Sequence, residues 1–231
     1  MTNSKDKTKQ KENALINIVI NIVIPSIILM KFSGDQQLGP AYGLIIALLF
    51  PFGYGVYDFI KRKKYNFISI LGIISIFLTG GIGLLHLDIK WIAVKEAAVP
   101  LIIGLAILFS TRTKFSFVEK LLAEMLDMEK INTSLKLHKA EFAYKKRMKI
   151  VNYLIVGSFM LSATLNYILA KVIVISPSGT PEFTAELGKL TALSYPVIAL
   201  PSTIVMIVAL VYLITGITKI TDLEIEDLVS K

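Results

Sequence analysis

Apolar and polar positions alternate along this chain in long blocks rather than with the short period of a strand or a surface helix. Long, predominantly apolar runs cover Ala14 to Met30, Leu38 to Ile60, Asn66 to Leu85, Trp91 to Ser110, Ile150 to about Ile175 and Tyr195 to Ile217. Each is near the ~20 residues needed to carry a helix across a hydrocarbon core of about 30 Å. The pattern predicts an all-α fold: a polytopic transmembrane bundle of six spans, with an amphipathic helical stretch outside the membrane. The first run is read as a span and not a signal peptide. No small-x-small cleavage site follows it, and the next run starts within eight residues.

The blocks divide the chain into a lysine-rich N-terminus (1–12), a four-span unit (13–110), a cytoplasmic segment (111–149), a two-span unit (150–217) and a short acidic tail (218–231). In 111–149 the apolar residues Val118, Leu121, Leu122, Met125 and Met128 recur at helical spacing between charges. This predicts an amphipathic helix on the membrane or on the bundle. Asn132 or Thr133 is a candidate cap for a second helix running into the fifth span. Before the sixth span, SPSGTPEF marks a loop, and Thr184 to Leu193 reads as a short interfacial helix.

Charge orients the bundle. With both termini on one side, 20 of the 25 Lys and Arg fall on that side, and only Lys31, Lys90, Lys95, Lys171 and Lys189 on the other. Positive loops stay in the cytoplasm, so both termini are expected there. Two basic clusters, Lys61-Arg62-Lys63-Lys64 and Lys145-Lys146-Arg147, are placed to meet anionic lipid headgroups. Nucleic acid is excluded as a partner, because the basic residues sort by membrane side.

Composition agrees: 54% of residues are hydrophobic and 18% charged, against about 45–50% and 25% in soluble domains. There is no cysteine, which removes disulfides, thiolate nucleophiles and zinc–thiolate sites. HExxH, GxSxG and Walker A patterns are missing. The two histidines, His86 and His138, fall on opposite membrane sides in this topology. No enzyme activity, cofactor or metal is expected.

The polar residues inside the runs are the candidates for function. From Ala97 to Ser110 only 14 uncharged residues are available, or about 21 Å of helix. The fourth span must therefore start near Trp91, drawing Lys95 and Glu96 into the membrane, where charges are costly. Pro100 frees the Glu96 carbonyl. Asp88 caps this helix or, with His86, faces a cation. Asn13, Asn17, Asn21 and Pro25 lie along one side of the first span, and Ser158, Ser162, Asn166 and Ala170 along one side of the fifth. Asn21 and Asn166 are expected to satisfy each other across a helix interface. The candidate polar residues are therefore Lys95, Glu96, Asp88, Asn17, Asn21 and Asn166.

The hairpin FISILGIISIFLTGGIGLLHLDIKWIAVKEAAVPLIIGL resembles the central region of the intracellular septation protein A family of bacterial inner-membrane proteins. The matching elements are Gly80, Gly81, Asp88, Lys95 and Pro100, and later Phe159 and Asn166 in SFMLSATLNYILAKVI. Over the whole chain, IVIPSIILMKFS, FPFGYGVYDFIKRKK and LTALSYP are similar to an uncharacterised set of six-span bacterial proteins loosely labelled transporter-like. The resemblance implies a role in cell-envelope or membrane organisation without a defined reaction, with an envelope protein as partner. The alternative is a small homo-oligomeric permease using the intramembrane polar lines.

Overall fold

The structure is a computed structural model that describes residues 16–62, 67–111, 117–123 and 126–228. Among the described residues there is no strand, and most of them are helical. The helices are α1 (Ile16–Phe32), α2 (Gly39–Arg62), α3 (Phe67–Leu84), α4 (Lys90–Ser110), α5 (Phe117–Ala123), α6 (Met128–Leu137), α7 (Glu141–Ile173), α8 (Pro181–Ser194), α9 (Leu200–Thr221) and α10 (Ile225–Leu228). Four stretches are long and apolar enough to cross a membrane: Gly39–Tyr57, Lys90–Ser110, Glu141–Ile173 and Pro181–Thr221. Two further helices, Ile16–Phe32 and Ile73–Leu84, are apolar but shorter. This chain is built as a membrane protein.

Prolines shape two of these helices. Pro25 offers no N–H to the Asn21 carbonyl, and Pro201 none to that of Val197. In both cases a wide π turn ends two residues before the proline, at Val19–Val23 and Tyr195–Ala199. The first is closed by the Ile24 N–H on the Val19 carbonyl. A π turn shifts the bonding by one residue and absorbs the missing donor. Pro51 and Pro100 sit inside α-helical segments instead.

Contacts group the chain into two compact units, each made of discontinuous segments. One comprises Met1–Val99 and Leu165–Ile198, the other Pro100–Thr164 and Ala199–Lys231. In the first, α2 packs on α3, and α8 packs on α1 and α2 around Leu29, Leu44, Ile92, Phe183, Leu187 and Leu190. Gly188 permits the close approach of α8, since a Cβ there would fall 2.9 Å from the Ser26 carbonyl oxygen. The segment expected as a separate interfacial helix at Thr184 to Leu193 is therefore a packed helix. It starts at Pro181 under a Thr180 cap and runs on without a break toward Thr221. Its buried Phe183, Thr184, Leu187, Gly188 and Leu190 are matched by protein, not by the membrane surface.

In the second unit, Val118 and Leu122 of α5, Ile131 and Leu135 of α6, Tyr144, Met148, Val151 and Ile155 of α7, and Leu213 and Ile217 of α9 share one core. The amphipathic segment thus turns its apolar residues onto the bundle; Met125 and the Leu121 side chain lie outside the described residues. Asn132 and Thr133 are inside α6 and cap nothing. The cap is Asp127, which accepts from the Lys130 N–H at 3.0 Å. The tail is folded too. The Asp127 N–H donates to the Leu228 carbonyl, the Ser134 hydroxyl to the Thr221 carbonyl at 2.8 Å, and Leu228 is buried.

Candidate functional site: a closed lysine pocket in the α3–α4 hairpin

α4 begins at Lys90 because Asp88 caps it, accepting from the Lys90 N–H at 2.9 Å and pairing with the Lys90 ammonium at 2.9 Å. The backbone N–H of Lys90, then its side chain, hold the Asp88 carboxyl below the usual carboxylate range. The helix expected as the fourth span starts at Lys90, and Lys95 follows about one and a half turns later.

Lys95 is 7% exposed. Its Nζ lies 2.7 Å from Glu96 Oε1, 2.8 Å from Thr79 Oγ1 and 3.3 Å from Ser75 Oγ. Ser75 and Thr79 stand one turn apart on α3, and Thr79 donates its own hydroxyl proton to the Ser75 carbonyl at 3.0 Å. That leaves the Thr79 lone pairs free to accept from the lysine. An ammonium has three protons and no lone pair, so the three partners exhaust it. The Glu96 side chain keeps 27% of its surface exposed. The arrangement neutralises a charge inside apolar surroundings; it presents no activated nucleophile. Among the described residues no group of three His, Asp or Glu could hold a metal ion.

The hairpin turn is docked on the α7–α8 loop. His86, in the left-handed region at φ 53°, bonds through Nδ1 to the Ser178 carbonyl at 3.0 Å, and the Ser178 hydroxyl donates to the Leu87 carbonyl. A carbonyl only accepts, so Nδ1 carries the proton. Gly179, at φ 86°, lets the imidazole lie against the loop, since a Cβ there would fall 2.0 Å from the ring. Glu186 ties off the same loop, accepting from the Ile175 and Ser176 N–H groups at 2.9 Å each and from the Ser176 hydroxyl at 2.7 Å. His86 is thus engaged with backbone and not paired with Asp88.

Asn21 donates to Asn17 Oδ1 at 2.6 Å and to the Asn17 carbonyl at 3.0 Å, so its amide turns back along its own helix. Asn166 is half-buried on α7. Of the basic clusters, Lys61 and Arg62 end α2, and Lys63 and Lys64 lie outside the described residues. Lys145 and Lys146 are exposed. Arg147 lies along α9, its guanidinium 5.2 Å from the Tyr212 ring centre and against Gly216. A wide recess of about 810 Å³ opens beside the α1–α2 turn, lined by Lys31, Asp35, Gln37 and Glu182 among others, and includes neither the asparagines nor Lys95 and Glu96.

Comparison with known protein families, with curated proteins and with solved structures finds no match to this chain.

Three residues that shape the site were not singled out from the sequence. Ser75 and Thr79 form an i, i+4 hydroxyl pair inside a charge-free run, a pattern that presents two acceptors on one helix face. Glu186 had no such signal, because it acts on a loop ten residues away. Asn152 of α7 is 5% exposed with its Oδ1 unpaired among the described residues.

Proposed function

We propose that this chain is a six-span protein of the bacterial inner membrane, with both termini cytoplasmic, that organises the membrane or cell envelope and neither catalyses nor transports. The observation that carries this reading is the closure of the lysine pocket: Lys95 spends all three protons on Glu96, Thr79 and Ser75. A transport path needs such groups to face a water-filled cavity. The one-sided distribution of 20 of the 25 basic residues supports the topology. The likeness of the Gly80–Pro100 hairpin to the septation family supports the envelope role. At the cytoplasmic face, Lys61 to Lys64 meet anionic headgroups. The partly exposed Glu96 carboxylate is what keeps a small oligomeric permease as the second reading.

The test pairs growth and solute uptake with envelope integrity in cells carrying Lys95→Ala with Glu96→Ala. Unchanged uptake with a leaky envelope is expected; lost uptake with an intact envelope overturns the proposal in favour of the permease. Because the chain has no cysteine, single cysteines at Leu87 and Lys139 report sidedness without background. An impermeant maleimide should reach the first from outside and the second only from the cytoplasm.

A further inference from the structure

The start of α7 carries an apolar residue where neither bilayer nor protein covers it. Its buried side, Tyr144, Met148, Val151 and Ile155, faces the core of the second unit. Phe142 is 82% exposed, and Leu137, just before the turn into α7, is 78% exposed. Lys145, Lys146 and Lys149 share an arc of about 100° with Phe142, opposite the buried side, and all three are exposed. Lys136 and Lys139 flank Leu137 and are exposed as well. The acidic neighbours are Glu141 and Asp222, the latter 3.5 Å from His138 Nε2. Exposed apolar side chains and exposed lysines thus share this short stretch.

Lipid does not explain it. With the fifth span beginning at Ile150, a placement that rests on the topology proposed above, Phe142 stands eight residues earlier. That is about 12 Å beyond the hydrocarbon at 1.5 Å per residue, whereas the headgroup layer is only about 5–7 Å thick on each side. Lys149 sits at headgroup level; Phe142 and Leu137 lie past it. The chain's own N-terminus, with lysines at 5, 7, 9 and 11, brings like charge to like charge; the acidic tail of a second copy is folded onto its own α6, with Asp227 3.7 Å from Lys130 and Leu228 buried.

We propose that this face docks an acidic segment of a cytoplasmic or membrane-associated partner protein, with Phe142 as the buried anchor and Lys139 and Lys145 as charge contacts. An aromatic anchor with a charged rim is the arrangement that concentrates binding energy in protein interfaces.

The test places benzoylphenylalanine at position 142 in the full-length chain and irradiates intact cells. The expected result is an adduct with another protein, whose cross-linked peptide carries net negative charge. Its yield should fall about tenfold when Lys139→Glu and Lys145→Glu are added, a change of about 1.4 kcal/mol. Adducts only with phospholipid, with a second copy or with the chain's own N-terminus overturn the proposal, as does no adduct or a yield indifferent to charge reversal. The analogue at Tyr153 serves as the lipid-facing control. If Lys139→Cys is labelled from outside the cell, the topology fails, an outcome separate from loss of the charge-dependent adduct.

Discussion

Removing both members of the Lys95–Glu96 pair should cost less than the sum of removing each, and the two members should be unequal. In Glu96→Ala the ammonium of Lys95, 7% exposed, keeps only two neutral hydroxyl partners. Breaking a buried pair costs about 3–5 kcal/mol. Here the carboxylate retains 27% exposure, and water screening lowers the expectation to about 2 kcal/mol. Lys95→Met instead removes the buried charge and leaves a partly solvated carboxylate. It gives up two interhelical hydroxyl contacts worth about 0.6 kcal/mol each in membrane proteins, for a total near 1 kcal/mol. The double variant Lys95→Met with Glu96→Ala leaves no orphan charge. It should fall short of the summed single losses by about 1 kcal/mol or more.

Equilibrium unfolding in mixed micelles measures all four species of the cycle, with the single tryptophan, Trp91, reporting on α4. If Lys95→Met costs as much as Glu96→Ala and the two are additive, the pair is an interfacial anchor in contact with water, and the closed-pocket argument is wrong.

Three other outcomes follow from the loop contacts. Gly179→Ala should lose at least about 1 kcal/mol from its left-handed backbone and more from the His86 ring; adding His86→Ala should restore only the second part, read as a partial recovery of the melting midpoint. Glu186→Ala releases two backbone N–H groups and the Ser176 hydroxyl, a loss of about 2 kcal/mol; amide exchange at Ile175 and Ser176 should accelerate while that of α2 does not. The Asp88 carboxyl is held below its ordinary value, so its stabilising effect is complete above the unfolded carboxylate pKa and fades as pH falls through the lower folded one; acid titration of unfolding should show a shallower loss below about pH 4 in Asp88→Asn than in the parent.

Hydropathy and length were enough to read the apolar segments as helices, four of them long enough to cross a membrane, because an apolar run in a solvent that offers no hydrogen bonds must satisfy its own backbone. The run through Lys145-Lys146-Arg147 into the fifth span is legible for the same reason, and α7 indeed continues from Glu141 to Ile173. Side-chain pairing was less legible. A lysine in an apolar segment signals that a partner exists, yet which helix supplies it depends on register between α3 and α4. The expected Asn21–Asn166 pairing ran into competition that a one-dimensional pattern cannot rank: Asn17 lies one turn away on the same helix, and the widened turn at Val19–Val23 accompanies that local bond. The fate of residues 184–193 was hidden for another reason. A 14-residue amphipathic helix has the same pattern whether its apolar side meets lipid headgroups or the small residues of a neighbour. Gly188 against Ser26 decided it.

The prolines and charges that make these segments look functional are largely neutralised where they stand. π turns accommodate Pro25 and Pro201, Asp88 and Glu186 cap backbone at the helix ends, and α3 hydroxyls absorb the Lys95 charge. A protein that moved a solute would need some of these groups to stay unsatisfied until the solute arrived, since binding energy can come only from contacts not already made. Phe142 and Leu137, exposed among lysines, have no comparable local answer. On the proposal above, recognition belongs to that face and the membrane part is the scaffold that holds it there.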